Sequence, residues 1–118
     1  MRLILLLAIL WIFPIASYAH HSTNTNFTQE IISIDGVIEK VRFQNPHVSV
    51  LMKNADSEGN VTFWLIETIS RTTLQRQGMS LEGLEVGSQI TATGRKGRRE
   101  YTMYLQEITF EDGTSFSP

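Results

Sequence analysis

Residues 36–50 read "GVIEKVRFQNPHVSV" and contain two predicted β-strands joined by a turn. Apolar and polar side chains alternate over residues 37–43, which is typical of a strand with one mostly apolar face. Pro46 ends that strand because its nitrogen carries no hydrogen to donate to a neighbouring strand. The alternation resumes over residues 48–52. Gly36 lies inside the first strand, where a missing side chain indicates a bulge or a sharp bend.

The other predicted elements follow on the C-terminal side of this stretch. A short helix is predicted in "SRTTLQRQG", with Ser70 as its N-cap and Gly78 directly after its last turn. Further strands are predicted at residues 61–68, 89–96 and 99–110. Three strands, a helix and two strands predict an all-β fold. The specific prediction is a five-stranded OB-like Greek-key barrel with one short helix between strands 3 and 4.

The N-terminus has the features of a secretory signal peptide. A positive charge at Arg2 precedes an apolar run, residues 3–13, that is too short to span a bilayer. Ser17 and Ala19 are the small residues of a cleavage site. We therefore predict a signal peptide (1–19), a flexible N-terminal arm (20–29) and a barrel domain (30–118), in a protein that is exported to the periplasm or secreted. An uncleaved membrane anchor is the alternative.

The composition excludes several classes of protein. The 118 residues include ten Lys and Arg and twelve Asp and Glu, and loss of Arg2 with the signal peptide leaves a mildly acidic mature chain. A nucleic acid partner is therefore not expected, because contacts to phosphates require a basic surface. No apolar stretch after the cleavage site is long enough for a membrane span. The absence of cysteine excludes disulfides and thiol chemistry.

Several motifs together resemble one family of small exported bacterial proteins of unknown function. They are a leader that ends in Ala before "HHS", the 36–50 stretch with its NPH tripeptide, a Trp on the third strand, and "LQRQGMSLEGLEVGSQITATG". The resemblance extends from His20 to about Phe110. It implies an exported OB-like barrel and supplies no reaction. The sequence departs from the family at Gly78-Met79, where a Gly-Trp pair is common.

The three histidines suggest a metal site. Cleavage after Ala19 gives His20 a free α-amine beside its imidazole, and these two nitrogens can form a chelate ring on Cu(II). His47 is the distant imidazole that completes a T-shaped nitrogen site, a geometry that favours copper, and His21 is a local auxiliary. Two alternatives stay open. The His20-His21 pair suits a signal peptidase without any metal, and His47 can hydrogen-bond its own turn instead.

Asn45 and Pro46 set the geometry of this turn. The Asn45 side chain can bond its own backbone two residues on, and Pro46 has a fixed φ. Both features predict that the direction of the His47 side chain is reproducible.

A basic stretch is the second candidate site. Residues 95–99, "RKGRR", are predicted to form the loop between the fourth and fifth strands, which is a ligand-binding loop in OB barrels. Its four cations, which attract an anionic ligand or a protein partner, are Arg95, Lys96, Arg98 and Arg99. The alternative is a solvated turn. The aromatic residues Phe63, Trp64, Tyr101 and Tyr104 predict either a stacking platform or part of the core.

Catalysis is the third option, and no nucleophile motif supports it. Glu39 and Glu67 are the acids within apolar strand faces, and either one can act as a base or pair with an arginine such as Arg42 or Arg71. The leading hypothesis is an exported, non-enzymatic copper-binding module. The alternative is a periplasmic interaction domain that binds an anionic ligand or a protein through the barrel face and the basic stretch.

Overall fold

A computed structural model of the chain describes residues 23–118. The predicted signal peptide, His20 and His21 lie outside the described residues. The strands are β1 (Phe27–Arg42), β2 (Ser49–Ala55), β3 (Val61–Glu67), β4 (Gln89–Gly97), β5 (Thr102–Phe110) and β6 (Ser115–Phe116). The helix α1 (Arg71–Arg76) follows β3, and short 3-10 turns occupy Thr23–Thr25 and Leu81–Gly83.

The strands close into a barrel. Their order is β3-β2-β1-β4-β5-β6, and a further pairing joins β3 to β5. That pairing is parallel and runs from Leu65 opposite Thr102 to Glu67 opposite Tyr104. The predicted all-β barrel with its helix between the third and fourth strands is confirmed. The two-residue strand β6, which pairs with the end of β5, is an addition to the five predicted strands.

The long first strand takes part in both halves of the barrel. Its N-terminal part pairs with β4 up to Val37, and from Val37 onward it pairs with β2. At this transition a Cβ atom on Gly36 would lie 2.5 Å from the Lys53 carbonyl oxygen, so the backbones can approach only because residue 36 is glycine. The strand begins at Phe27, so residues 27–29, which were predicted to belong to the arm, are part of the barrel.

A bulge in β1 changes which side chains face the core. The β1–β2 register shifts between Ile38 and Lys40, so the bulge is at Glu39 and not at Gly36. The extra residue brings Ile38 and Val41 onto the same side, although strict alternation predicts opposite sides. Ile38 is buried and Val41 packs against the core.

Apolar side chains of every barrel strand and of the helical segment fill the interior. The buried cluster is Ile38, Val48, Val50, Met52, Ile66, Leu74, Met79, Leu84, Ile90, Ala92, Met103, Leu105 and Ile108. Met79, which follows Gly78 after the helix, is therefore a core residue. Among residues 23–118 no helix has the length and hydropathy needed to cross a membrane.

Candidate functional site

Two adjoining clefts contain residues from both predicted sites. The first, which we call the His47 cleft, has a volume of about 390 Å³ and is lined by Thr23, Asn26, Phe27, Pro46, His47, Glu67 and Tyr104. The second, the arginine cleft, has a volume of about 450 Å³ and is lined by Thr25, Asn26, Phe27, Glu67, Arg98, Arg99 and Thr102. Asn26, Phe27 and Glu67 belong to both, so the two clefts meet at these side chains.

The turn that carries His47 is fastened to the start of α1. The Asn45 side chain accepts a hydrogen bond of 3.2 Å from the Thr72 backbone N–H, and its amide nitrogen donates to the Thr72 hydroxyl at 3.2 Å. The Arg71 N–H donates to the Gln44 carbonyl oxygen at 3.3 Å. The first N–H groups of a helix have no partner within the helix, so they attract acceptors from elsewhere. Asn45 therefore bonds the helix and not its own backbone.

The helix itself is capped as its sequence predicts. Ser70 is the N-cap and its hydroxyl accepts a hydrogen bond of 3.2 Å from the Thr73 N–H. Gly78 follows the last turn with φ +90°, the left-handed conformation that glycine adopts at helix ends. On the far side of the turn, the Val48 N–H donates to the Ile69 carbonyl oxygen at 3.0 Å. The turn is thus held at both of its ends.

The His47 imidazole is exposed and makes no hydrogen bond to any residue of the described range 23–118. The alternative in which His47 bonds and fixes its own turn is therefore not observed. Asn45 and the flanking backbone hold the turn instead. Both ring nitrogens of His47 face no competing protein partner in this part of the chain, and the ring borders a cleft.

Glu67 and Tyr104 line the His47 cleft as well. They are paired residues at adjoining positions of β3 and β5, and both are half-buried. Burial raises the pKa of Tyr104, and the negative charge of Glu67 raises it further, while the positive charge of Arg95 opposes the shift. The Phe27 ring packs against Tyr104 with 5.4 Å between the ring centroids. The cleft therefore has an apolar floor and a carboxylate beside it.

The described residues do not hold a complete metal site. Among residues 23–118 no three His, Cys, Asp or Glu side chains stand close enough to share a metal ion. His47 and Glu67 border one cleft, and the other predicted ligands, His20 and His21, lie outside the described residues.

Arg95 does not belong to a loop, because β4 continues to Gly97 and pairs with the early part of β1. Its guanidinium donates to the Thr28 carbonyl oxygen at 2.8 Å, the Thr23 hydroxyl at 2.7 Å and the Asn24 side-chain oxygen at 2.6 Å. A fourth bond, of 3.2 Å, goes to the Phe27 carbonyl oxygen. Its role is therefore to fasten the N-terminal segment to the barrel.

Of the other three cations, one lies in β4 and two line the arginine cleft. Lys96 is also part of β4, and its ammonium lies 3.8 Å from the Glu30 carboxylate. Arg98 and Arg99 follow the strand and line the arginine cleft. The predicted cluster of four cations is therefore reduced to two at the cleft.

The turn after β4 is held at several points. The Arg98 N–H donates to the Asn26 carbonyl oxygen at 2.9 Å, and the Thr102 hydroxyl donates to the Arg99 carbonyl oxygen at 2.6 Å. Tyr101 has φ +54°, a conformation that costs a residue with a side chain roughly 1–2 kcal/mol. Backbone strain of this kind persists only where the surrounding contacts enforce it.

The aromatic residues do not form one platform. Tyr101 packs edge-on against Trp64 with 5.6 Å between the ring centroids, whereas Tyr104 packs against Phe27. Phe63 is about half exposed, on the outer side of β3. Glu39 is exposed at the bulge, so Glu67 is the acid of the predicted pair that borders the clefts.

Sequence patterns did not indicate two residues shared by the clefts. Asn26 and Phe27 fall in the stretch that was predicted to be a flexible arm. Phe27 is nevertheless buried, and the Asn26 carbonyl oxygen accepts a hydrogen bond from the turn after β4. The only local sign was the single aromatic residue in an otherwise polar stretch. Their position depends on contacts with β4, which lies some seventy residues away in the sequence.

Comparison with known proteins identifies one family. A model described as "Family of unknown function (DUF6152)" matches residues 9–105 of the chain. This match confirms the resemblance to a family of unknown function. No curated protein matches the sequence.

Proposed function

Since this chain belongs to DUF6152, a family of unknown function, its function has to be argued from its own residues, and we propose that it is an exported copper-binding module. The metal ligands in this proposal are the α-amine and imidazole of His20 and the imidazole of His47, with His21 as a local auxiliary. Signal-peptide cleavage after Ala19 is part of the proposal, because it creates the free amine.

One observation carries the proposal: Thr23 and His47 line the same cleft. Three peptide units separate Thr23 from His20, and an extended chain spans at most about 11 Å over that distance. The segment that leads to His20 therefore starts beside His47.

The N-terminal segment is held in this position by Arg95. Four hydrogen bonds from its guanidinium end on residues 23–28 and hold that segment against the barrel. A site whose ligands are held in advance loses less conformational entropy when the metal binds. This anchoring favours a site in which a local ligand and a distant ligand act together.

The chemistry of the cleft is compatible with a cation. The exposed imidazole of His47 has no competing hydrogen bond within the described residues, so ligation breaks no protein contact. The negative charge of Glu67 beside it favours a bound cation. Imidazole and amine nitrogens in a planar arrangement favour Cu(II) over the other common divalent metals.

The proposal is tested by Cu(II) titration with electron paramagnetic resonance on protein whose first residue is verified to be His20. A matched version in which the His20 α-amine is acetylated keeps every side chain and removes only the free amine. We expect a site with nitrogen hyperfine structure in the first version, and binding weaker by at least about tenfold in the second. Equal and weak binding by the two versions would contradict a site at the N-terminus.

A further inference from the structure

The two cations at the arginine cleft differ from the other two in the basic stretch. Arg95 and Lys96 are engaged by partners on β1 and the segment before it. The Arg99 side chain has no hydrogen bond or ion pair with any described residue. Within residues 23–118 the Arg98 guanidinium makes only two long contacts, both of 3.4 Å, to the Asn24 carbonyl oxygen. Two guanidinium groups therefore border the cleft with most of their donors unused.

We infer that Arg98 and Arg99 form an oxyanion subsite in the arginine cleft, which binds a single phosphate or carboxylate group of a small ligand. A guanidinium presents paired N–H donors whose spacing matches the oxygens of these groups. Two adjacent guanidiniums at one cleft provide more donors than one oxyanion needs. This subsite does not depend on the proposed metal site.

The backbone that carries these arginines is held in advance. The Arg98 N–H donates to the Asn26 carbonyl oxygen, and the Thr102 hydroxyl donates to the Arg99 carbonyl oxygen. The Leu65 N–H donates to the Tyr101 carbonyl oxygen at 2.9 Å. Tyr101, at the end of this turn, has the left-handed conformation. A binding site benefits from such contacts, because its donors are then positioned before the ligand arrives.

Glu67 restricts the kind of ligand. Its carboxylate lines the arginine cleft together with Arg98 and Arg99, so a second anionic group on the ligand would approach a negative side chain. The cleft also has a volume of only about 450 Å³. Both facts favour one oxyanion group on a small molecule and disfavour an extended polyanion. The same group is available on a soluble phosphate or carboxylate and on the head group of an anionic lipid.

The test uses inorganic phosphate and the metal-free protein, with binding followed by the amide resonances of the turn in NMR spectra. Arg98→Gln and Arg99→Gln each remove one guanidinium. Lys96→Gln is the matched control, since it removes the same charge close by from a residue that lines neither cleft. We expect the first two substitutions to weaken phosphate binding about tenfold and the control to weaken it less than about twofold.

Two results would overturn the subsite: no saturable shift of these resonances in the unsubstituted protein, or equal weakening by all three substitutions, which indicates general charge attraction. The source of the ligand is distinguished with vesicles of phosphatidylcholine, with and without phosphatidylglycerol. Sedimentation with the phosphatidylglycerol vesicles that is lost in Arg99→Gln identifies a lipid head group. Phosphate binding without sedimentation identifies a soluble ligand.

Discussion

Arg95 donates a hydrogen bond of 2.7 Å to the hydroxyl of Thr23, which precedes it by 72 residues. The bond connects the first described residue of the chain to the C-terminal part of β4. Because Thr23 also lines the His47 cleft, Arg95 connects the barrel to the border of the proposed metal site. A cation that the sequence suggested as a ligand-binding group is thus an anchor.

Replacement of Arg95 tests this anchor. Arg95→Met keeps much of the aliphatic side chain and removes four hydrogen bonds. We expect the free energy of unfolding in urea to fall by about 2 kcal/mol, because partly buried oxygen atoms lose their donors. Lys96→Met removes one exposed ion pair and should change it by less than about 0.5 kcal/mol. Equal effects of the two substitutions would show that the contacts of Arg95 add nothing.

His47→Ala separates metal binding from folding. The side chain is exposed and has no partner among the described residues, so the free energy of unfolding should change by less than about 0.5 kcal/mol. Under the proposed function, Cu(II) affinity falls by at least about tenfold when one of three nitrogen ligands is lost. Gln44→Ala, on the same turn, is the control for both measurements. Unchanged Cu(II) affinity would remove His47 from the site.

Asn45 should stabilise the fold because its side chain accepts a hydrogen bond from the first turn of α1. In Asn45→Ala the Thr72 N–H loses its acceptor, and we expect the free energy of unfolding to fall by about 1 kcal/mol. Asn45→Asp retains an acceptor oxygen, and its negative charge is favourable near a helix N-terminus, so most of the stability should return. Chemical denaturation measures both variants. A stability of Asn45→Asp as low as that of Asn45→Ala would mean that the cap is not the cause.

Gly36→Ala tests the close approach of β1 and β2. The added methyl group would lie 2.5 Å from the Lys53 carbonyl oxygen and 2.7 Å from Met52 Cγ, so the backbone has to move. We expect a loss of about 1–3 kcal/mol in the free energy of unfolding. Gly83→Ala is the comparison, because its new methyl group would meet only the flexible side chain of Met79. A smaller loss at Gly36 than at Gly83 would contradict the packing described.

The pKa of Tyr104 reports the charges at the His47 cleft. Burial is the main cause of its raised pKa, and Glu67 adds to it, so Glu67→Gln should lower the pKa while leaving it above the ordinary value. Arg95→Met should raise it. Carbon-13 NMR of the tyrosine Cζ atoms measures both shifts. A shift of the Tyr104 pKa in the opposite direction in either variant would show that the replaced charge does not act on Tyr104 as described.

The raised pKa also has a consequence for alkaline stability. The unfolded chain releases the Tyr104 proton at its ordinary pKa, and the folded protein holds that proton to higher pH. Below the ordinary pKa, the contribution of Tyr104 to the free energy of unfolding should therefore not change with pH. As the pH rises from the ordinary pKa through the pKa of the folded protein, the free energy of unfolding should fall. Tyr104→Phe should lose this part of the pH dependence.

The sequence predicted the features of this protein that depend on neighbouring residues. The strand alternation and the helix caps at Ser70 and Gly78 are of this kind, and the element order was enough to predict the barrel. The bulge at Glu39 was not predictable in the same way. Nothing in "GVIEKVRF" marks one residue as unpaired, since the position of the bulge depends on the register with β2.

The candidate site depends more strongly on distant contacts. Nothing in "RKGRR" distinguishes Arg95, which turns toward the N-terminal segment, from Arg98 and Arg99, which border a cleft. The difference arises because β4 pairs with β1 as far as Gly97, opposite Phe27. A single sequence shows the charged residues. It does not show which of them are engaged in contacts that the strand pairing creates.

The shared first strand also determines the order in which the barrel can form. Phe27 pairs with Gly97, seventy residues later, whereas the β1–β2 and β2–β3 pairs are joined by short connections. Contacts between residues far apart in sequence form slowly, because a long loop has to close first. The three-stranded meander can therefore form early, with the N-terminal half of β1 lacking a partner until β4 arrives. Until then its exposed edge is a surface on which chains can associate, and the folding yield should fall as protein concentration rises.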